Sequence, residues 1–460
     1  MRRSPHWPPP SASAVGIGGI AVIRISGEHA FAAADAVFRG SMTAAGAASH
    51  TVHYGTVTDP VSRETIDTVV LTVFRNPHSF TGEDVVEISA HGGYFVAQRI
   101  LTLLYANGAR PAAPGEFTLR AFLNGKLDLS QAEAVADIIH ATTERSHRAS
   151  VDQLSGKLSR AVRSLRQEIL DLCSLLELEL DFSQEGIELA DKNTVLSRLD
   201  TLERSIRLLA ESYREGRIIR EGIKVALVGR PNAGKSSLLN ALLQEERAIV
   251  SDIPGTTRDT IEEKIVLEGI EFLFQDTAGL RESSDSIEVE GMRRTNKAIA
   301  AADVILFLLD GSIPLSNDDL EQYRTIAAQY AGSKTILWVF NKQDVRAEQG
   351  GMEIGTDPLW ISCKSHAGLK ELKETLVRLT IPGHDPSASS VTITNVRHRD
   401  ALDRARHSIL TARQAVAEEL GGDFVAVDLH AAVNYLGEII GLTTPDDILN
   451  NIFSNFCIGK

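Results

Sequence analysis

The stretch VALVGRPNAGKSSLLNALL (225–243) decides the fold of the central part of the chain. A short apolar strand runs into the pattern GxxxxGK[ST], and a helical pattern follows at once. Gly229 and Gly234 let such a loop bend and approach a phosphate, which loop N–H groups and the helix N-terminus then bind. Lys235 is expected to reach the β- and γ-phosphates, and Ser236 to bind Mg²⁺. The stretch therefore predicts a nucleotide-binding α/β domain.

Further motifs follow in the chain order of a guanine-nucleotide domain. GTTRD (255–259) offers a switch threonine, and DTAG (276–279) ends a strand, where it can hold the Mg²⁺ shell and sense the γ-phosphate. NKQD (341–344) ends the next strand, and SCK (362–364) can complete the base pocket. The carboxylate of Asp344 can accept both N–H groups on the guanine edge, which adenine does not offer in that arrangement. Together the motifs predict a GTPase.

The motifs name the side chains and loop positions that we expect at the nucleotide and its metal ion. Mg²⁺ is expected on Ser236 and Thr257. The residues expected to bind GTP are Asn232, Ala233, Gly234, Lys235, Ser236, Ser237, Ser251, Thr256, Thr257, Asp276, Thr277, Ala278, Gly279, Asn341, Lys342, Asp344, Ser362, Cys363 and Lys364.

The chain departs from a Ras-like plan just after DTAG. Ras orients the attacking water with a glutamine there, whereas this chain has Leu280, and no arginine finger is evident. Asn232 lies inside the phosphate loop, and the long loop RAIVSDIPGTTRD (247–259) precedes the switch threonines. An asparagine carbonyl beside backbone carbonyls suits a monovalent cation that neutralises charge where an arginine finger would reach. Alternatively Asn232 only shapes the turn, and the sequence alone leaves both readings open.

Strands and helices also mix in the region before residue 120. The segments 18–27, 68–74 and 84–93 are short, β-branched and bounded by glycine, which predicts strands. Residues 94–109 carry apolar side chains at helical spacing and predict a helix that ends near Gly108.

A long helical region follows and returns near the end of the chain. Ser130 and Glu133 are interpreted as a capping box. Apolar residues recur every three or four positions from Leu154 to Leu176, which indicates one helix face packed in a core. From about 216 to 380 strands alternate with helices, as in a parallel sheet. We therefore expect an α/β domain inserted into a helical domain.

Composition and charge exclude several classes of protein. The net charge of −14 argues against broad non-specific nucleic-acid binding, although a local basic patch is compatible with it. The longest apolar run, residues 304–309, is far too short to span a membrane. Cys173, Cys363 and Cys457 form no CxxC pair, and the chain shows no export signal. We expect reduced thiols, no membrane association and a cytoplasmic location.

Several long blocks together resemble one family. They are GRPNAGKSSLLNAL (229–242), IVSDIPGTTRD (249–259), DTAGLRESSDSIEVEGM (276–292), PGEFTLRAFLNGKLDLSQAEAVADII (114–139) and the terminal CIGK (457–460). The chain resembles the MnmE (TrmE) family of tRNA-modification GTPases from about Ala12 to Lys460. The switch motifs are shared with GTPases of the Era and Der types, whereas the last two blocks are far more specific.

The resemblance implies a multidomain α/β plus all-α fold. Residues 1–120 would form an N-terminal α/β domain that binds tetrahydrofolate and dimerises. Residues 121–215 and 381–460 would form a discontinuous helical domain. Residues 216–380 would form an inserted Ras-like P-loop G domain.

The resemblance also implies an activity and its partners. The family modifies the wobble uridine of certain tRNAs at carbon 5, adding an aminomethyl or carboxymethylaminomethyl group. It acts as a homodimer with the FAD-dependent protein MnmG, in a heterotetramer or a larger assembly. The one-carbon donor would be 5-formyl- or 5,10-methylene-tetrahydrofolate. The G domains would pair in the presence of K⁺, and GTP hydrolysis would follow.

Matching motif positions assign roles to individual residues. K⁺ would be held by Asn232, Ser251, Ile253 and Thr256, and Glu288 would position the attacking water. Folate would be bound by Arg24, Glu87, Lys126 and Lys460, and Cys457 would act near carbon 5 or 6 of the base.

Several of these assignments also have a structural alternative. Arg24 and Glu87 interrupt apolar strands, so they either pair with each other or meet a ligand. Without the family, Lys126 reads as a turn lysine, Glu288 as a solvated surface residue and Cys457 as a buried inert thiol.

A helix is expected to hold the end of the chain. Thr444 is interpreted as its cap, with Pro445 at the first helical position. Apolar side chains share one side of this helix, so it can dock and deliver CIGK to a fixed place: they are Ile448, Leu449, Ile452, Phe453 and Phe456.

The start of the chain departs from the family, and the motifs also allow a second function. The start MRRSPHWPPPS (1–11) does not resemble the strand that opens the family, and its proline and charge favour a disordered or altered tail. The alternative function is a GTP-switched RNA-binding or ribosome-assembly factor of the Era or Der type. It would use basic helices such as NVRHRDALDRAR (395–406), but would leave the N-terminal domain and CIGK without a role.

Overall fold

A computed structural model shows how the chain folds and describes most of it. The described residues are 18–181, 191–230, 232–245, 262–276, 296–314, 317–346, 358–380, 391–454, 456 and 459. The chain divides into two compact units, each built from segments distant in sequence. The first unit comprises Met1–His140, Ser150–Ala210 and Arg397–Lys460, and the second comprises Ala141–Ala149 and Glu211–Val396.

The first unit begins with a five-stranded antiparallel sheet. Its strands are β1 (Ile20–Ser26), β2 (Phe38–Gly40), β3 (Thr51–Thr58), β4 (Thr65–Phe74) and β5 (Val85–His91), in the order β1-β5-β4-β3-β2. The three predicted strands are confirmed as β1, β4 and β5, and β2 and β3 were not predicted. Alternate side chains such as Ile23, Leu71 and Ile88 point to one buried face. Helices α1 (Ala30–Val37) and α2 (Tyr94–Ala106) pack there, and α2 confirms the predicted helix.

Helices form the rest of the first unit; of the helix Glu144–Leu154, only residues 150–154 belong to it. They are α3 (Glu116–Leu123), α4 (Leu129–His140), α5 (Glu144–Leu154), α6 (Lys157–Asp181), α7 (Lys192–Glu211), α12 (Val396–Ala417), α13 (Gly422–Ile440) and α14 (Asp446–Ser454). The predicted apolar face is buried on α6, which packs against α13. Leu154 instead ends α5, because Gly156 adopts a φ of +79° that breaks the helix.

The predicted capping box at Ser130 and Glu133 is wrong by two residues. The Asp128 carboxylate accepts the N–H of Gln131 at 3.1 Å, and the Gln131 side chain accepts the N–H of Asp128 at 3.0 Å. This reciprocal pair satisfies two of the donors that a helix start leaves open. Ser130 instead donates to Asp128.

Glu133 joins the two halves of the helical domain. Its carboxylate accepts hydrogen bonds from Arg397, at 2.8 and 3.0 Å, and lies 2.7 Å from His398 Nε2. Burial raises the pKa of Glu133, but His398 and Arg397 outweigh that effect and bring the pKa from 4.5 to about 2. A residue before the insertion is thus paired, as a buried anion, with residues directly after it.

The second unit contains a six-stranded sheet with the order β11-β10-β9-β6-β8-β7. Its strands are β6 (Ile223–Val228), β7 (Glu262–Leu267), β8 (Ile270–Asp276), β9 (Val304–Asp310), β10 (Thr335–Asn341) and β11 (Leu359–Trp360). Only the β7–β8 pair is antiparallel. The described helices are α8 (Tyr213–Glu221), α9 (Lys235–Glu245), α10 (Asn317–Tyr330) and α11 (Leu369–Thr380), with further helical residues at 296–301. Buried apolar strands in this order form the predicted parallel sheet.

The chain enters and leaves the second unit side by side. The Ser212 hydroxyl accepts the N–H of Ile393 at 3.0 Å. A Cβ at Gly216 would lie 2.0 Å from the Ile393 carbonyl oxygen, so only glycine permits this approach. Neighbouring ends are what an inserted domain requires, and the fold class predicted from the sequence is confirmed.

The C-terminal helix docks on the first unit. Phe453 and Phe456 are buried against Leu129, Ala132 and Val135, and Leu449 and Ile452 pack beside them. Ile448 is 38% exposed, so it does not share the buried side. The hydroxyl of Thr444 donates to the Glu438 carbonyl oxygen. A Cβ at Gly115 would lie 2.6 Å from the Phe453 carbonyl oxygen, which shows how closely α14 approaches the start of α3.

Candidate functional site

The phosphate loop of the second unit joins β6 to α9, as its sequence pattern predicts. Gly234 has a φ of +98°, which favours glycine, and a Cβ there would lie 2.2 Å from the Asn341 side-chain amide. A Cβ at Gly229 would lie 2.3 Å from the Leu308 carbonyl oxygen. Both glycines are therefore required by packing as well as by access of a phosphate.

Lys235 is folded into this loop. Its side chain is buried, and Nζ donates to the carbonyl oxygens of Gly229 at 2.5 Å and Arg230 at 2.9 Å. Ser236 and Ser237 follow in the first turn of α9, where both are exposed. The positively charged amine and the helix N-terminus thus lie at one point of the loop, as anion binding requires.

Asn232 is exposed at the tip of the loop with a φ of +66°. Asparagine adopts this left-handed region more readily than other residues with side chains. The turn-shaping role of Asn232 therefore has a direct structural basis, and the side chain is exposed.

Asn341 connects the phosphate loop to the base pocket. Its Nδ2 donates to the Ala233 carbonyl oxygen at 3.0 Å, and its Oδ1 accepts the N–H of Cys363 at 3.1 Å. The side chain is almost fully buried. One amide therefore holds three of the predicted motifs together.

Asp344 presents its carboxylate to solvent beside this amide. The Ser362 hydroxyl donates to Asp344 Oδ1 at 2.7 Å, and this bond lowers the pKa of Asp344. An ionised, exposed and oriented carboxylate is what two guanine N–H groups require. Burial of Cys363 raises the pKa of its thiol to about 11, so this residue contributes its backbone rather than a thiolate.

Lys342 lies in the same loop as Asp344, which comprises residues 341–346. It has a φ of +67°, and its Nζ lies 2.5 Å from Oδ2 of Asp310 at the end of β9. Burial raises the pKa of Asp310, but the hydrogen bonds from Lys342 and Ser312 outweigh this and lower the pKa. The sequence motifs did not single out Asp310.

Trp360 is a second residue that the motifs missed. Its ring stacks on Phe340, with centroids 4.5 Å apart and an interplanar angle of 13°. The Arg346 guanidinium lies 3.9 Å from the centroid of the same ring. Phe340 lies directly before residues 341–346 and Arg346 is the last of them, but no local sequence signal links either residue to Trp360.

In the first unit, Arg24 and Glu87 pair with each other. They are direct partners across β1 and β5, and Arg24 Nε and Nη2 both lie 2.7 Å from Glu87 Oε1. The guanidinium also lies over Phe80 and Phe117, at 5.6 and 5.5 Å from the ring centroids. Of the two readings open at the sequence level, the structure shows the pair.

Lys126 lies close to the loop that carries Phe80. A Cβ at Gly82 would lie 3.4 Å from Lys126 Cγ and 3.0 Å from Asn124 Cβ. The Asn124 side chain donates to the Thr81 carbonyl oxygen at 2.7 Å. The loop therefore brings three of the four predicted folate residues, Arg24, Glu87 and Lys126, into one region.

Ion pairs and hydrogen bonds from several elements hold this loop in place. Arg120 Nη1 lies 2.8 Å from Glu83 Oε2, which also accepts the Ser26 hydroxyl at 2.9 Å. Arg120 pairs in addition with the buried Glu116. Hydrogen bonds from Arg110 and Arg120 lower the pKa of Glu116 despite the opposing effect of its burial.

Family models match both parts of the chain. The model described as MnmE helical domain matches residues 129–457, and the model described as GTP-binding protein TrmE N-terminus matches residues 10–126. The chain belongs to the MnmE family of tRNA modification GTPases. As a member of this family it is a GTP-hydrolysing enzyme.

Named MnmE relatives align along almost the whole chain. The protein from Chlorobaculum tepidum is 43% identical and covers 98% of this chain and 96% of its own. The protein from Flavobacterium johnsoniae is 43% identical and covers 98% of each chain. The protein from Moorella thermoacetica is 44% identical, again covering 98% of each. Each is named tRNA modification GTPase MnmE.

Several residues that the GTPase motifs or the MnmE resemblance implicate lie outside the described part of the chain. They are Ser251, Ile253, Thr256, Thr257, Thr277, Ala278, Gly279, Glu288, Cys457 and Lys460. The atypical start, residues 1–11, also lies outside it. Asp276 ends β8, and Lys364 is exposed next to Cys363.

The basic helix that the RNA-binding alternative would use is α12. Its arginines form ion pairs with acidic side chains of the same unit: Arg399 with Asp400, Arg404 with Glu438, Arg406 with Glu203 and Arg413 with Asp200. Among the described residues, the charges of these arginines are thus largely balanced by neighbouring carboxylates, which argues against α12 as a surface for a nucleic-acid backbone. Among the described residues, no helix is long and apolar enough to cross a membrane.

Proposed function

We propose that this enzyme uses GTP hydrolysis to drive modification of the tRNA wobble uridine at carbon 5. The added group is aminomethyl or carboxymethylaminomethyl, and the FAD-dependent protein MnmG is the partner. The observation that carries the nucleotide half of the proposal is the position of Asn341, which joins the phosphate loop, NKQD and SCK. The tRNA half is supported by the names of the relatives, each a tRNA modification GTPase.

In the proposed nucleotide pocket, Lys235 leaves the carbonyl oxygens of Gly229 and Arg230 for the β- and γ-phosphates. Backbone N–H groups of residues 232–237 and the first turn of α9 bind the remaining phosphate charge. Asp344 accepts the N1–H and the 2-amino group of guanine. Loss of such a pair leaves a desolvated charge without partners, which gives large discrimination against adenine.

Mg²⁺ and K⁺ belong to the proposal because the phosphate loop offers suitable oxygen ligands. Ser236 presents an exposed hydroxyl in the first turn of α9, directly after Lys235, which suits Mg²⁺ together with Thr257. Asn232 offers an exposed amide oxygen for K⁺, together with Ser251, Ile253 and Thr256. These ions supply positive charge next to the transferred phosphoryl group.

Glu288 completes the proposed hydrolysis by orienting the attacking water, since Leu280 cannot. Hydrolysis should therefore be fast in K⁺ and slow in Na⁺. Glu288→Ala should bind GTP normally and hydrolyse it slowly. Steady-state phosphate release in each salt measures the first effect, and equal rates in K⁺ and Na⁺ would remove the cation from the proposal.

We further propose a one-carbon tetrahydrofolate, 5-formyl or 5,10-methylene, at the region of Arg24, Glu87 and Lys126. The exposed ring of Phe80, beside Arg24, can stack on a flat heteroaromatic ring. Glu87 can accept N–H groups of such a ring while Arg24 holds it in position. Lys126 offers a positive charge to the carboxylates of the folate tail.

The C-terminus is the third part of this proposed site. Docking of α14 on Gly115 fixes the chain immediately before CIGK. Lys460 would then contribute to folate binding, and Cys457 would act on the base. Cys457→Ser should keep GTP hydrolysis and lose tRNA modification; if modification survives, the cysteine is structural.

A homodimer formed through the N-terminal domain, residues 1–120, is part of the proposal. The sheet exposes apolar side chains on β3 and β4, with Val52 at 63%, Tyr54 at 73% and Val70 at 36%. Such a surface is typical of a protein interface.

We assign residues 121–215 and 381–460 to the helical domain and residues 216–380 to the G domain. We assign the enzyme to the cytoplasm, because tRNA is found there.

Direct binding of a reduced folate tests the folate part of this proposal, for which the nucleotide motifs provide no support. Titration of the full chain with 5-formyl-tetrahydrofolate should show saturable binding that Glu87→Gln weakens at least about tenfold, as expected for loss of hydrogen bonds to a charged group. Absence of binding to pure protein would favour a GTP-switched factor without its own chemistry.

A further inference from the structure

The guanine-recognition loop, residues 341–346, is held at both of its ends by one indole ring. Phe340 lies directly before the loop and stacks on Trp360 at 4.5 Å, nearly parallel to it. Arg346 is the last residue of the loop, and its guanidinium lies 3.9 Å from the centroid of the Trp360 ring. Two planar groups so close to one centroid cannot share a face. Phe340 and Arg346 therefore lie on opposite faces of Trp360.

The two faces differ in their surroundings. Phe340 is 2% exposed and belongs to the core cluster that contains Phe307 and Trp338. Arg346 is exposed, so the outer face of the indole is covered by a cation rather than by the core. A guanidinium stacked on indole is attracted by the negative face of the ring. Trp360 thereby links Arg346, the last residue of the loop, to the buried core.

The residues after Trp360 continue the same contact, one after another. Ile361 donates its N–H to the Phe340 carbonyl oxygen at 2.8 Å and accepts the N–H of Gln343 at 3.0 Å. Ser362 bonds the Asp344 carboxylate, and Cys363 bonds Asn341. Segment 360–363 thus fixes the recognition loop at both ends and in the middle.

We propose that Trp360, with Arg346 stacked on it, is a positioning residue for guanine specificity. This inference rests on the proposed contact between Asp344 and guanine. Asp344 is exposed, and the Ser362 hydroxyl bonds its carboxylate, so the direction of that carboxylate depends on the backbone that carries both residues. The Trp360 sandwich fixes that backbone on both sides of Asp344. Without it the carboxylate still meets N1–H but aligns poorly with the 2-amino group.

The affinity ratio of GDP to IDP measures this alignment directly. Inosine lacks only the 2-amino group, so the ratio reports the second hydrogen bond to Asp344. In the unaltered protein we expect GDP to bind about 10–100-fold more tightly than IDP, the usual range for a hydrogen bond to a charged group. In Trp360→Leu we expect that ratio to fall at least about threefold, and in Trp360→Phe, which keeps a flat ring, to stay close to its original value.

Because Arg346 is exposed, its variants test the inference without disturbing the packing of the core. Arg346→Gln removes the cation and the stacking, and Arg346→Lys keeps the charge but removes the planar group. Both should lower the GDP-to-IDP ratio. Arg378→Gln is the matched control, because it removes the same charge from an exposed position in α11 of the same unit. It should leave the ratio unchanged.

The outcomes distinguish failure of this inference from failure of the proposed contact between Asp344 and guanine. A ratio near one in the unaltered protein would remove the Asp344 contact itself. A clear preference for GDP that survives in folded Trp360→Leu and in Arg346→Gln would overturn the positioning role. So would a normal ratio in Arg346→Lys, because charge alone would then account for Arg346. A lower melting temperature with an unchanged ratio would mark Trp360 as core packing.

Discussion

Glu133 in the first unit and Asp344 in the second are both carboxylates held in the ionised form, but by opposite arrangements. Glu133 is buried, and Arg397 and His398 surround it. Asp344 is exposed, and the hydroxyl of Ser362 orients it. The first charge is satisfied entirely within the protein, whereas the second is oriented but open to a ligand.

The difference separates charges that hold the fold from charges that serve a site. A buried carboxylate is tolerated only with partners, and removing a partner leaves an uncompensated charge. An exposed carboxylate needs no such compensation, so its fixed direction serves recognition. Arg24 and Glu87 lie between these cases, since they are mostly buried and paired but lie beside the partly exposed Phe80.

The largest expected effect is on stability, at Glu133. Glu133→Gln keeps the shape of the side chain but leaves Arg397 and His398 without their anion. We expect the free energy of unfolding of the first unit to fall by about 3–5 kcal/mol, measured by urea unfolding. The control Glu438→Gln breaks only the partly exposed pair with Arg404 and should cost at most about 1 kcal/mol. An equal loss of unfolding free energy in the two variants would show that burial of Glu133 does not make its ion pair more important for stability.

A pH dependence of similar size follows from the same residue. The pKa of Glu133 is about 2 in the folded protein and 4.5 in its usual state. The stabilisation is therefore fully present above pH 4.5 and is lost as the pH falls through the window down to about 2. It amounts to about 3 kcal/mol over that range. The free energies of unfolding of the unaltered protein and of Glu133→Gln should converge as the pH falls towards 2. If the two plots of unfolding free energy against pH stayed parallel, Glu133 would not be the origin of the pH dependence.

The next effect is on binding, at Asp344. Asp344→Asn should bind GDP about 10–100-fold more weakly, because an NH2 donor replaces one of the two acceptor oxygens and would face a guanine N–H, while the melting temperature changes little. Xanthosine diphosphate has a carbonyl where guanine has its amino group, so the new amide should bind it better than the native carboxylate does. Calorimetric titration of both proteins with both nucleotides measures the loss of affinity for GDP and the gain of affinity for xanthosine diphosphate. Unchanged GDP affinity would place the base elsewhere.

The smallest effect is expected on the surface of α12. Arg413 pairs with Asp200 with both side chains largely exposed. Arg413→Gln should change the free energy of unfolding by no more than about 1 kcal/mol. It should also leave the affinity for tRNA unchanged, because this arginine already has an acidic partner. A clear loss of tRNA affinity in a filter-binding assay would restore the basic-helix alternative.

The sequence predicts elements whose signals are local and misses those that depend on distant partners. The phosphate loop, its strand and its helix were predictable because GxxxxGK[ST] has few other conformations. Strand β3 was not, since its apolar pattern is interrupted by His53 and Gly55. Gly55 is needed because a Cβ there would lie 2.4 Å from the Arg39 carbonyl oxygen, a contact that no local pattern reveals.

The same limit explains the errors at individual residues. Ser130 and Glu133 fit a local capping box, but Glu133 is directed to Arg397, 264 residues away in sequence. At the nucleotide site the motifs identify Asn341, Asp344 and Ser362. They do not identify Trp360, whose role comes from stacking between Phe340 and Arg346. Motifs mark groups that contact a ligand, whereas the groups that orient them are set by packing.

One measurement tests the central claim, that GTP hydrolysis in this chain serves modification of a tRNA base. The full chain is combined with the FAD-dependent partner, tRNA, a one-carbon tetrahydrofolate, a nitrogen donor, GTP and K⁺, and the digested nucleosides are analysed by mass spectrometry. The account predicts a wobble uridine substituted at carbon 5, absent when GTP is replaced by a non-hydrolysable analogue. Rapid GTP hydrolysis with an unmodified uridine in the complete mixture would contradict it.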